Sequence, residues 1–280
     1  MHSSVCLALI HNNNQFRNDY IRPKIEDLTR NMDSHVLVKR IEVSYQSEIV
    51  PHSFFTAFMR DVIYQNLGCK WRRYRLLKSR KFRSAVNFFR ASFVKYILNR
   101  NGAAIRWKRY SAIEVAVTDK HIRAWSHFLD SDSDYLIVFE DDVVFKDDSA
   151  FRLNELLNTL SKNYPNKACY ADLGGGCKLA DLMIDRLETS QDESYRYYKK
   201  PVTNTACAYL MSRELVAVFI ATLTRRPWLR LVGVDWLMNS LFILCGERVL
   251  DSICMHADPT IFKHGTTTGE YVSWQAEVPN

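Results

Sequence analysis

The sequence predicts an α/β domain built on a largely parallel sheet, flanked by helices. Three observations predict it. Short apolar runs of strand length alternate with longer segments whose apolar residues recur at helical spacing. Two polar clusters, Glu140-Asp141-Asp142 and Asp172-Leu173-Gly174-Gly175-Gly176, follow such runs directly, where open α/β sheets bind ligands. The 280 residues are 47% hydrophobic and 25% charged, enough to bury one core over a single domain, 1–280.

Val5–Ile10 is the first strand, closed by the turn-prone His11-Asn12-Asn13-Asn14. Arg17–Asn31 is the first helix, and Val36–Val43 alternates as the second strand. Asn101-Gly102 ends a basic helical segment. Ser111–Leu129 is helical, with Ile113, Val117, His121, Trp125 and Phe128 on one side. Tyr135–Phe139 is a buried strand running into the three acids. Phe151–Asn163 is an amphipathic helix carrying Leu153, Leu156, Leu157 and Leu160. Ala168–Leu173 and Ala206–Met211 are strands, and Arg213–Thr224 and Val234–Leu244 are helices.

Composition excludes disordered and fibrous classes. The longest apolar runs, such as Val5–Ile10 and Leu241–Cys245, fall far short of the roughly 20 residues of a membrane span. The opening residues lack a basic region and a long apolar run, so a secretory signal is not expected. Seven cysteines, without a C-x-x-C pair, read as buried thiols of a reducing compartment. The expected location is therefore cytoplasmic.

The net charge of +7 is concentrated. From Val62 to Ile113 there are 14 Lys and Arg and no acid, which leaves 24 basic against 31 acidic residues elsewhere. Phe82, Val86, Phe89, Phe93, Tyr96 and Ile97 recur at helical spacing within it. Residues 62–109 thus read as a basic amphipathic helical insertion. It either packs its stripe on the main domain or lies on an anionic membrane surface, at the inner face of the membrane. Nucleic acid is the least supported partner, since no recognition motif accompanies the charge.

Glu140-Asp141-Asp142 would be costly if buried without partners. In extended chain Glu140 and Asp142 point one way and Asp141 the other. A carboxylate pair suits a hard cation, Mg²⁺ or Mn²⁺, which can neutralise a departing diphosphate. The plainer reading is a solvated strand end, or the cap of a helix that Asp147 or Asp148 would serve equally well. Glu114 and His121 lie seven apart and share a helix face. Asp172 precedes three glycines that permit close backbone approach to a sugar or phosphate, or simply make a turn. Asp235 stands where either a base or a helix N-cap would stand. His256, Asp258 and His264 are candidates for closing the site or supplying a further metal ligand.

Four blocks carry a family resemblance. Tyr135-Leu136-Ile137-Val138-Phe139-Glu140-Asp141-Asp142-Val143 resembles the strand and acidic motif of the family 25 glycosyltransferases, the lipooligosaccharide galactosyltransferase-like proteins. Glu114-Val115-Ala116-Val117-Thr118-Asp119-Lys120-His121, followed by Trp125, is similar to the family's preceding helix. Thr205–Arg213 and Val234-Asp235-Trp236 resemble two later junctions, and Arg17 fits the opening more loosely. Lys120 stands where the family usually has Ser, and 62–109 looks like an insertion.

The resemblance implies a GT-A-like, nucleotide-sugar-dependent transferase. UDP-galactose is the implied donor, a cell-surface glycan or glycolipid the implied acceptor, and inversion the implied outcome. Asp142 would ligate a divalent cation, with Asp141 the other ligand candidate. Glu140 would support the ion or the donor ribose. Arg17 and Asp172 would line the donor site, Glu114 and His121 would line it or hold the acidic loop (His121 otherwise being a satisfied core histidine), and Asp235 would deprotonate the acceptor hydroxyl. The competing reading is a non-enzymatic α/β protein that binds nucleic acid or anionic lipid. A metal-dependent phosphoesterase using the same carboxylates is a third.

Overall fold

The computed structural model describes residues 3–44, 52–74, 103–182, 186–190, 193–198, 200–245 and 253–272. Ten strands fall into two sheets. The large one has eight: β1 (Ser3–Ile10), β2 (Val36–Val43), β3 (Tyr135–Glu140), β5 (Cys169–Asp172), β6 (Arg186–Thr189), β7 (Tyr195–Tyr198), β8 (Ala208–Ser212) and β9 (Ile253–Ala257). Their spatial order is β2-β1-β3-β8-β5-β9-β7-β6. Only β8 and β7 run against the rest, so the sheet is mixed and mostly parallel, as a GT-A-like fold requires. A small antiparallel ribbon pairs β4 (Val143–Phe145) with β10 (Phe262–His264).

Helices cover both faces of the large sheet. On one face lie α3 (Ala103–Leu129), α5 (Arg213–Arg225) and α6 (Val234–Leu244), which bury Trp125, Phe219 and Leu241. On the other lie α1 (Gln15–Arg30) and α4 (Ser149–Asn163), which bury Ile21, Ile25, Leu153 and Leu160. The strands feed both cores. Cys6, Ala8 and Ile10 of β1 face the first, and Val5, Leu7 and Leu9 the second. A strand buried on both faces must be apolar throughout, which is why β1 and β3 stand out as continuous runs.

Helix starts follow local chemistry. Asn14 caps α1 by accepting from the Arg17 N–H at 3.2 Å, and Ser212 caps α5 by accepting from the Leu215 N–H. The predicted elements that fall on described residues all occur, with α3 beginning earlier than expected, at Ala103. A further helix, α2 (Phe54–Tyr74), enters the basic stretch. Residues 75–102, with the predicted Phe82–Ile97 stripe, lie outside the described residues.

Strands β4, β6, β7, β9 and β10 were not expected. They are short, or carry Arg and His that break an apolar run. The β4–β10 ribbon nevertheless places the site. It sets His264 opposite Val143, with the Gly265 N–H donating to the Asp142 carbonyl at 2.9 Å. Gly265 has to be glycine: a Cβ there would stand 2.7 Å from that carbonyl oxygen and 2.4 Å from the Tyr271 ring.

Candidate active site

Strands β1 and β3 are parallel neighbours, with Ile10 paired to Glu140 at their carboxyl ends. A cleft of about 330 Å³ opens there. Its walls carry Glu114, Glu140, Asp141, Asp142 and Asp235, together with Arg17, Lys120, His264 and Trp236. The fold therefore gathers Arg17, Glu114, Glu140, Asp141, Asp142 and Asp235, separated by up to 218 positions, around one hollow. His121 stands just behind it.

The three consecutive acids do not alternate as extended chain would. The chain turns after Glu140, so all three line the same cleft, each with its own partners. Glu140 receives His121 Nε2 at 2.9 Å. A carboxylate only accepts, so Nε2 carries the proton and Nδ1 accepts from Tyr209 Oη at 2.8 Å. Trp125 Nε1 donates to the same oxygen at 2.9 Å. A relay of buried donors thus fixes Glu140 from beneath. His121 is both a satisfied core residue and the support of the acid. His121→Ala leaves two buried partners unmet and is expected to cost about 1–3 kcal/mol, read by urea unfolding. His121→Gln, which keeps a donor, should lose less.

Asp141 accepts from Arg17 Nη1 at 2.9 Å and from the Asn12 N–H at 3.1 Å, one bond on each oxygen. Burial raises its pKa above the usual carboxylate range, against the pull of Arg17. Arg17 also donates to the Val272 carbonyl at 2.6 Å and lies over the Tyr271 ring. The pair ties the acidic turn to α1 and to the chain after β10.

Asp142 differs. Its Oδ2 meets His264 Nε2 at 3.1 Å and the Thr266 hydroxyl at 2.5 Å. Its Oδ1 is buried with no hydrogen-bond partner among the described residues. Burial would raise this carboxyl, but the His264 bond and charge outweigh it and hold it below its ordinary value. The same pairing raises His264 despite its own burial. Asp142, His264 and Cys207 bring their ligand atoms within 4.8 Å of one another. Burial pushes the Cys207 thiol well up, so it stays protonated without a metal.

Asp235 sits in the first turn of α6, whose N-cap is Gly233. The N-cap reading of Asp235 therefore gives way. Its Oδ1 is buried and without a hydrogen-bond partner among the described residues, and burial, followed by the Glu140 charge, pushes the carboxyl up to about 7. Nearby, Glu114 accepts from Tyr64 Oη at 3.2 Å and pairs with Arg60. The Tyr64 oxygen also receives the Gly233 N–H at 2.6 Å, and its ring meets Trp236 edge-on. Arg60 and Tyr64 had no signal in the sequence beyond their spacing of four on a helix.

Lys120 is buried under the cleft and donates to the His11 carbonyl at 3.0 Å. Burial pulls it down to about 7, against the Asp141 and Glu140 charges. Asp172 lies elsewhere. It is buried in a second cavity that also admits His256 and Asp258. Of the three late candidates, His264 alone reaches the acids.

The comparison with known families decides the kinship. The model of glycosyltransferase family 25, described as an LPS biosynthesis protein, matches residues 39–238. The chain belongs to glycosyltransferase family 25. The matched span holds Glu114, His121, the acidic turn, Asp172 and Asp235, while Arg17 and His264 lie outside it. No curated protein matches the chain. The cleft of this family 25 glycosyltransferase is thus built from matched acids and from two flanking residues that the fold brings in. No described helix is long and apolar enough to cross a membrane.

Proposed function

We propose that the chain transfers a sugar, galactose from UDP-galactose, to a hydroxyl of a lipooligosaccharide-type or other lipid-linked glycan, with inversion and with the help of a divalent cation, Mn²⁺ or Mg²⁺. The observation that carries this reading is the bare, buried Oδ1 of Asp142 beside His264, in a cleft with five carboxylates. Arg17 is already paired and Lys120 lies beneath, so a diphosphate entering unaccompanied would meet net negative charge. A cation reverses that sign. Carboxylate oxygen suits Mn²⁺ and Mg²⁺, and a neutral imidazole nitrogen is a common metal ligand.

Asp142 and His264 would hold the ion, with Glu140 and Asp141 fixed on either side. When bound, it neutralises charge on the leaving diphosphate. The protein's own groups supply the rest. Asp235 takes the proton of the acceptor hydroxyl. The hydroxyl oxygen bonds to the anomeric carbon, the carbon–phosphate oxygen bond breaks, and its electron pair leaves with the diphosphate. Tyr64, which bonds both Glu114 and the Gly233 N–H, holds the start of the helix that carries Asp235. The basic segment 62–109 would rest the enzyme on the anionic inner face of a membrane, where such acceptors are anchored.

A panel of nucleotide sugars tests the reading by thermal unfolding. UDP-galactose with Mn²⁺ at about 100 times its Kd is expected to stabilise by about 2.7 kcal/mol, a rise of several degrees. EDTA should abolish it. Equal stabilisation in EDTA would remove the metal, and no response to any UDP-sugar would remove the transferase assignment.

A further inference from the structure

A second chamber of about 350 Å³ lies beyond β5 and β9. It shares one lining residue with the acidic cleft, His264. Its wall is constructed with some effort. The Asp172 carboxylate gathers the Gly175 N–H at 2.7 Å, the Asn204 N–H at 3.1 Å and the Tyr170 hydroxyl at 3.1 Å. Asn204 and Cys177 exchange two hydrogen bonds, at 2.8 and 2.9 Å. Thr205, a β-branched residue, is held at φ 73° while its hydroxyl donates to the Gly175 carbonyl. Such strain persists only where surrounding contacts enforce it. Gly175 itself has φ 62°, and a Cβ there would stand 2.7 Å from Thr260.

One group in this wall has no counterpart. His256 is 1% exposed, and its Nε2 faces the Val202 carbonyl at 2.9 Å. A carbonyl only accepts, so Nε2 carries the proton and Nδ1 is a bare acceptor. Nδ1 is buried with no partner among the described residues. Burial holds this imidazole down at about 4, so it stays neutral at physiological pH. A neutral, aromatic-flanked acceptor suits hydroxyl donors, and Asn204, Thr260, Lys178 and Lys263 line the same chamber. The chamber also lies within the volume range of small-ligand sites.

We propose that this second chamber holds the acceptor saccharide, whose reactive hydroxyl reaches past His264 to Asp235. The inference rests on the transferase reading above and adds to it where the acceptor lies. Asp235 lines the acidic cleft together with His264, the residue that also lines the chamber. The loop Thr203–Thr205 joins them physically, with the Thr203 hydroxyl on the Asp235 carbonyl at 3.5 Å. The loop built around Asp172 thereby serves the acceptor and not the donor.

The chain carries its own reporter. Cys177 lines the chamber and is exposed, whereas Cys6, Cys169, Cys207 and Cys254 are buried and Cys245 is half-buried, so labelling is read at the Cys177 peptide. Biotin–maleimide labelling of the full chain is the test, with core oligosaccharide released from lipopolysaccharide as the acceptor probe. The oligosaccharide should slow labelling of Cys177 at least about tenfold by mass action at ten times its Kd, and UDP with Mn²⁺ should not. Labelled enzyme should keep hydrolysis of UDP-galactose and lose transfer. The Cys177→Ser chain should show no such loss relative to its own untreated rate. Unchanged labelling in the presence of the oligosaccharide overturns the proposal. So does loss of hydrolysis together with transfer, which would assign the chamber to the donor. Failure of the transferase reading looks different: the unlabelled chain would not hydrolyse UDP-galactose at all.

Discussion

Asp142→Asn is expected to lower kcat for sugar transfer by about 10³-fold and to abolish the Mn²⁺-dependent stabilisation by UDP-galactose. The substitution keeps the shape and the acceptor for the Thr266 hydroxyl. It removes the charge that faces the cation and the charge that keeps His264 protonated more readily than usual. The free chain should lose only about 1–3 kcal/mol, because one buried hydrogen-bonded group is exchanged for another. Steady-state rates with and without EDTA, beside a urea melt of the same preparation, separate the two effects. A variant that retains metal-dependent turnover would show that the ion sits elsewhere. The matched family span ends at residue 238, so the role of His264 in this pair rests on the β4–β10 ribbon alone.

What was legible in the sequence follows burial. β1, β3, β5 and β8 are enclosed by helices on both faces or by neighbouring strands, so they had to be apolar and could be read directly. β6 and β7 form the far edge of the sheet, where Arg186 and Arg196 interrupt any pattern. β4 and β10 have three residues each, below the length at which alternation means anything. The acidic turn was legible because three acids after a buried strand demand an explanation. Its consequences were not. Reading the turn as extended chain sent Asp141 away from Asp142, whereas the bend brings both into one cleft and assigns one to Arg17 and the other to His264.

Partners distant in sequence were the principal omission. Arg60 and Tyr64 meet Glu114 and Gly233 across 50 to 169 positions. Nothing in a helical spacing of four announces such contacts. Lys120 was visible only as a departure from the family pattern, and its burial beneath Asp141 gives that departure an electrostatic meaning. Asp172 was placed correctly at a strand end beside glycines. It lines the second chamber and not the acidic cleft, and His264 lines both. A local reading finds chemically loaded residues well, and it cannot say which of them share a hollow.

Asp235→Asn should reduce kcat by about 10²–10⁴-fold while making the folded chain more stable above pH 7. Both effects come from one buried carboxyl. Burial, then the Glu140 charge, raises Asp235 to about 7, with His264 opposing. Between its ordinary value of 3.8 and about 7 the folded chain keeps a proton that the unfolded chain releases. Stability from this group is therefore fully present below about 4 and is lost as pH rises through about 7. An amide carries no charge to bury, so the variant should overtake the natural chain in melting temperature at pH 8 and match it only below about pH 4. The rate moves the other way. A base must be ionised to accept a proton, so kcat/KM of the natural enzyme should climb through pH 7, and that limb should be absent from the variant. A bound cation favours the carboxylate, which places the corresponding limb of kcat at lower pH than that of kcat/KM. An Asn variant that keeps its activity and its rising limb would remove Asp235 from the reaction and leave it a buried charge in the first turn of α6.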